Sequence, residues 1–148
     1  MNKDVIFVKI DSMKRCIDRI IEKKPAGVEQ LAENLDIQDI IVLNLERAIQ
    51  NAVDIAAHIC TSLKTPVPQT MSEAFQRLHA EKIISAHTAL RMQKAVSFRN
   101  IAVHEYQLID WQIVYVIITR HLDDFKLFVR EILEWLQTQP TQPTQPTQ

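Results

Sequence analysis

Arg99, Asn100, His104 and Tyr106 put a guanidinium, an amide, an imidazole and a phenol within eight residues. A guanidinium forks two oxygens of one phosphate, and an imidazole moves protons near neutral pH. The pairing suits a phosphodiester, and the adjacent amide can orient either partner. On one ideal helix, however, side chains five positions apart stand about 140° from each other around the axis. Arg99 and His104 would then not share a face. For both to meet one phosphate, the helix must break or distort between them, or a second copy of the chain must supply the other half.

The elements that position this stretch read as helices. Ile6, Ile10, Met13, Ile17 and Ile20 recur at spacings of four and three, which predicts a helix from about Val5 to Lys24 that Pro25 and Gly27 end. Val28 to Leu35 reads as a short helical turn or a loop. Asp36 is the expected N-cap of a second long helix with the apolar stripe Ile41, Leu45, Ala48, Ala52, Ile55 and Ile59. Its polar stripe is Asn44, Arg47, Asn51, Asp54 and His58, and the expectation for Asp54 and His58 is a solvated face. Pro66 and Pro68 make a loop, and Thr70-x-x-Glu73 is a capping box for a helix through about Ala80. Ser85 caps a fourth helix, expected from Ala86 to about Phe98. Along it Ala89, Met92, Val96, Arg99 and Val103 keep the apolar spacing, so Arg99 falls on the seam. An arginine there needs a carboxylate, Glu105 or Glu46, or else a phosphate in a cleft or a dimer seam. Asp110 caps a last helix, Trp111 to Leu136, with the stripe Trp111, Tyr115, Ile118, Leu122, Phe125, Val129, Ile132 and Leu136. Together these predict an all-α fold: an up-and-down bundle of four to five helices over residues 1–137. Residues 138–148 are Thr-Gln-Pro repeats with no apolar side chain to pack, and they are expected to form a disordered tail.

Composition removes several alternatives. The chain has 148 residues, one glycine and a hydrophobic fraction of 47%, enough for one packed core. A single Gly excludes a P-loop or a dinucleotide fold, which need several glycines in one turn. The formal net charge of −1 does not mark a nucleic-acid binder. From Arg77 to Arg99 there are five Lys/Arg and one acidic residue, Glu81; this fits attraction to a polyanion, but on charge alone an ordinary solvated face is the better reading. Cys16 and Cys60 stand apart, outside any C-x-x-C or Cys/His cluster, and read as buried thiols of a reducing cytoplasm. No metal site and no cofactor is expected. Neither a signal peptide nor an apolar run of the ~20 residues that span a membrane is present, so the expected location is cytoplasmic.

The pattern Arg-Asn-x-x-x-His, late in a helical chain, resembles the HEPN superfamily of ribonucleases. Its fuller form R-x-x-x-x-H-x-Y, filled by Arg99, His104 and Tyr106, resembles the HepT toxins of bacterial toxin–antitoxin systems. The run Asn44-Leu45-Glu46-Arg47-Ala48 and the long closing helix extend the resemblance over most of residues 1–137, and the tail has no counterpart in it. The resemblance implies a metal-independent endoribonuclease acting as a toxin, with Arg99 and His104 catalytic and Asn100 supporting. It implies that a minimal nucleotidyltransferase antitoxin neutralises the toxin by transferring AMP to Tyr106. The residues add a consistent mechanism: RNA brings its own 2′-hydroxyl nucleophile, His104 serves as base or acid, and Arg99 holds the phosphate as charge builds. With one histidine per motif, a symmetric homodimer would supply both an acid and a base. The alternative is a non-catalytic helical module whose Arg–His stretch docks a nucleotidyltransferase.

Overall fold

The computed structural model describes residues 1–140, and among them the chain is all-helical. Seven α-helices run in order: α1 (Lys3–Lys23), α2 (Val28–Glu33), α3 (Leu35–Ser62), α4 (Met71–Ala80), α5 (Ala86–His104), α6 (Trp111–Val116) and α7 (Asp123–Gln137). The expected count of four to five is corrected in two places. Val28–Glu33 forms a true helix, and the closing helix is divided. Most of the proposed tail, residues 141–148, lies outside the described residues.

The helix starts follow from local chemistry. Thr70 Oγ1 accepts from Glu73 N at 3.0 Å, Ser85 Oγ from Thr88 N at 3.1 Å, and Asp110 Oδ1 from Gln112 N at 2.9 Å. Each side chain satisfies a backbone donor that the first helical turn leaves without a partner. For α3 the cap is Asn34 rather than Asp36: Asn34 Oδ1 accepts from Ile37 N at 3.0 Å. Asn34 also ends α2, and the buried Gln38 amide donates to the carbonyls of Leu31 and Ala32 at 2.9 and 3.0 Å. The two helices thus share one tight junction, which leaves Asp36 in the first turn of α3.

The division of the last helix has no proline or glycine behind it. Ile117–His121 is a π-helical turn, and Thr119 Oγ1 donates to the carbonyls of Tyr115 and Val116 at 2.7 and 3.2 Å. A hydroxyl that takes part in the carbonyl ladder opens it locally. The buried stripe shifts with it. Val114 and Phe128 are fully buried, while Trp111, Tyr115 and Val129 pack at the core's margin.

α1 and α3 form the most extensive pair and run antiparallel, as three cross-links show. Asn51 Nδ2 donates to Ser12 Oγ at 3.1 Å, Lys9 pairs with Asp54 at 2.9 Å, and the His58 Nε2 lies 3.0 Å from the Asn2 carbonyl oxygen. Asp54 and His58, expected on a solvated face, therefore face α1 and its N-cap. α5 and α7 are also antiparallel, tied by Arg91 to Asp124 at 2.8 Å and by the Thr88 hydroxyl to Glu131. The core between the helices centres on Ile6, Ile20, Leu45, Ile55, Phe75, Leu78 and Phe128. Phe75 and Phe128 meet edge to face with ring centroids 5.7 Å apart, fixing α4 against α7. Cys16 and Cys60 are free and buried, and burial pushes both thiols up. No helix of the described residues is long and apolar enough to cross a membrane.

Candidate active site

α5 was expected to end near Phe98 but continues to His104. No residue from Ser97 to Val103 breaks a helix, and Glu105 N still donates to the Ile101 carbonyl at 2.8 Å. Arg99, Asn100 and His104 are therefore carried on one unbroken helix. Of the options open from spacing, a break or distortion between Arg99 and His104 is ruled out. The two side chains leave α5 about 140° apart.

Past His104 the backbone leaves the helix at Glu105, with φ −141° and ψ 51°, and Tyr106–Leu108 forms one 3₁₀ turn. That turn swings the Tyr106 ring toward α3. Its hydroxyl donates to Asp39 Oδ1 at 3.0 Å, and its ring meets Trp111 edge to face with centroids 6.2 Å apart. Arg99 is half-buried and donates from Nη1 to Asn100 Oδ1 at 3.3 Å. Among the described residues it makes no ion pair, with Glu105, Glu46 or any other acid. Glu46 nonetheless feels its charge. Burial pushes the Glu46 carboxyl up, and Arg99 and then Arg47 pull it back. Glu46 also adds to the raised value of the Tyr106 phenol, which is pushed up to about 12 by burial, by the hydrogen bond to Asp39 and by the charges of Asp39 and Glu46. Glu46 thus lies within charge range of both Arg99 and Tyr106. His104 is exposed, and among the described residues no hydrogen bond or ion pair engages its ring.

The structure so brings Arg99 and Tyr106 near the Asp39–Glu46 face of α3, with Asn100 bound to Arg99, and leaves His104 on another side of α5. Of the neighbouring residues given weight by resemblance, Asn44 turns inward and donates to the Ile40 carbonyl at 2.8 Å, and Arg47 stays exposed. Asp39 and Trp111 were not singled out from sequence as neighbours of Tyr106. Asp39 is 67 positions away, and no local pattern links the two.

Beside the motif lies an apolar groove of about 600 Å³ between α5 and α6, walled by Phe98, Ile101, Leu108, Ile113, Val116 and Ile117. Ile101, Val103, Leu108, Ile113 and Val116 are 40–63% exposed, a cluster of large apolar side chains around the end of α5. Patches of this kind on a folded chain mark interaction surfaces.

Relatives similar in sequence carry nuclease names. A chain from Shewanella oneidensis described as mRNA nuclease HepT is 36% identical over 126 residues, covering 85% of this chain and 94% of that one. A tRNA nuclease HepT from Aphanizomenon flos-aquae is 28% identical over 134 residues, covering 90% of this chain and 91% of that one. Among solved structures, a tri-AMPylated HEPN toxin of Shewanella oneidensis in complex with its MNT antitoxin superposes with a TM-score of 0.84 at 36% identity, covering 90% of this chain and 99% of that one. A toxin–antitoxin structure with AMP-PNP gives a TM-score of 0.84 at 34% identity, covering 88% of this chain and 98% of that one. The family model described as Ribonuclease HepT-like matches residues 13–132. On that match and these relatives, the chain belongs to the HepT-like ribonuclease family.

Proposed function

We propose that two copies of this chain build one RNA-cleaving site, with Arg99 and His104 of each protomer set across a shared cleft. The family makes the chain an RNA endonuclease and the toxin of a toxin–antitoxin pair. The observation that carries the two-copy reading is the unbroken α5. Its Arg99 and His104 point about 140° apart, and the apolar groove of about 600 Å³ lies open beside them. A second copy laid on the Ile101, Leu108, Ile113 and Val116 surface buries that patch and brings a second His104 to the first Arg99.

In that cleft the 2′-hydroxyl of the substrate attacks its own phosphate. One His104 removes the proton, and the His104 of the partner subunit protonates the leaving 5′-oxygen. Arg99 holds the phosphate oxygens as negative charge grows on them, with Asn100 steadying the guanidinium as it does in the free chain. The products are a 2′,3′-cyclic phosphate and a 5′-hydroxyl, and neither proton transfer requires a metal ion. The place for such a protein is the cytoplasm, where the RNA is.

The partner that silences it is a nucleotidyltransferase antitoxin of the kind bound to the Shewanella oneidensis toxin. The acceptor for AMP is Tyr106, whose phenol reaches the surface 39% exposed and two residues past His104. An AMP there sets an anionic phosphate within reach of Arg99 and fills space the RNA needs.

RNA incubated with the EDTA-treated chain should be cut, leaving 2′,3′-cyclic phosphate ends, and His104→Ala should stop the cutting without lowering the melting temperature. Intact RNA with folded, unmodified wild type would contradict the reading.

A further inference from the structure

The Tyr106 phenol is held at both ends. Trp111 meets the ring, and Asp39 takes the hydroxyl at 3.0 Å. Asp39 stands on α3, exposed, and among the described residues it forms no ion pair with any Lys, Arg or His. A surface carboxylate that has water on offer is here committed to a phenol. Its position fixes where the phenolic hydrogen points and leaves the lone pairs of Oη turned away from Asp39.

A phenol attacks phosphorus only as its proton leaves. Ordinary phenols ionise near ~10, and this one is pushed up to about 12, by burial before all else. The free phenolate is therefore scarce at neutral pH, and a nearby acceptor must take the proton while the new bond forms. The charged groups around the hydroxyl are Asp39 and Glu46 of α3. Beyond them stand Arg99 and Arg47, which act on Glu46, and in sequence the neighbours His104, Glu105 and Asp110. Of these, only Asp39 is hydrogen-bonded to the phenol.

We propose that Asp39 is the general base for nucleotide transfer to Tyr106, so that the toxin carries the base for its own inactivation. The inference rests on Tyr106 being the AMP acceptor. The co-reactant is a nucleoside triphosphate with its magnesium, presented by the nucleotidyltransferase. Tyr106 Oη attacks the α-phosphorus, the bond from that phosphorus to the β-phosphate oxygen breaks, and pyrophosphate leaves with the electron pair. The phenolic proton passes to Asp39 Oδ1 and from there to water.

The test is AMP transfer to the full-length chain by a nucleotidyltransferase antitoxin of the kind bound to the Shewanella oneidensis toxin, with ATP and magnesium, followed by intact-protein and peptide mass spectrometry. Asp39→Asn keeps an acceptor oxygen but cannot hold a proton. The first AMP addition to this variant should slow by about 10²-fold in kcat with KM nearly unchanged. Its residual rate should climb about tenfold per pH unit from about pH 7 to 9, where the wild type stays nearly flat, because the variant must wait for the phenolate. Asp39→Glu should regain part of the loss. An unaltered melting temperature shows that the variant is folded. Modification of Tyr106 in Asp39→Asn at the wild-type rate, or a loss confined to KM with an unchanged pH profile, overturns the assignment of the base alone. An acceleration in Asp39→Asn overturns it too, because it shows the carboxylate repelling the triphosphate. A wild-type chain that takes no AMP on Tyr106 overturns both this inference and the acceptor on which it rests.

Discussion

Asn51, Asp54 and His58 along α3, and Arg99, Asn100 and His104 at the end of α5, are the same materials: an amide, a charged group and an imidazole on one helix. Their fates differ. Along α3 each is engaged by α1 or its own turn: Asn51 by Ser12, Asp54 by Lys9 and Gln50, His58 by the Asn2 carbonyl. At the end of α5 the arginine reaches only its neighbouring amide, and the imidazole reaches nothing among the described residues. The first set closes a helix–helix seam. The second stands beside an open apolar groove. Side-chain type and spacing do not separate a structural polar stripe from a site. What separates them is whether the fold already uses their hydrogen-bonding capacity, because a group already paired must first lose that bond to act on a substrate.

The sharpest way to break the comparison is to delete the imidazole on each side. His104→Ala should lower RNA cleavage by roughly 10²–10⁴ with an unchanged melting temperature, as loss of a proton-transfer group does. His58→Ala should leave cleavage intact in the same assay. Next comes the groove. Ile113→Glu puts a charge into an apolar wall that is 55% exposed in the single chain, and it should shift sedimentation from dimer to monomer. Cleavage should fall with it and return in part at high protein concentration. A smaller effect is expected in the α1–α3 seam. Asn51→Ala leaves Ser12 without its cross-helix donor, costing about 1 kcal/mol by thermal unfolding while cleavage holds.

The smallest effect is electrostatic. With the Tyr106 phenol pushed up to about 12, its neutral form is favoured in the folded chain. Its contribution to stability is whole below the ordinary phenol value near ~10 and disappears as pH rises through about 12. Tyrosine-selective NMR should show the high titration lost in Tyr106→Phe and lowered in Asp39→Asn.

Much of the fold was legible in the sequence because its signals are local. Proline breaks, the Thr70, Ser85 and Asp110 caps and the four-and-three apolar stripes each act within one or two turns. The misses came from competition that spacing does not reveal. Asn34 won the cap of α3 over Asp36 because it also closes α2. Thr119 opened a π turn inside a helix whose apolar stripe ran on unbroken. α5 continued past Phe98 since nothing to His104 stops a helix. Asp54 and His58 looked solvated because the helix that meets them, α1, is brought there only by tertiary packing. The site divides the same way. Arg99, Asn100, His104 and Tyr106 stand out in the sequence by type and spacing, whereas the Asp39 partner of Tyr106 and the groove exist only once distant helices meet.

The central claim is that Arg99 of one protomer works with His104 of its partner. Complementation tests it most directly. Arg99→Ala and His104→Ala chains, each inactive alone, are unfolded together, refolded, and the mixed dimer is isolated by two different tags. In a shared cleft the mixed dimer holds one intact Arg99 and one intact His104 on opposite protomers. One of the two proton-transfer steps is left without its imidazole, but the intact Arg99 and the remaining His104 face each other, so the mixed dimer should cleave RNA faster than either parent and well below wild type. A mixed dimer that forms and yet cleaves no faster than its parents would place each arginine and histidine in separate, single-chain sites, and would contradict the claim.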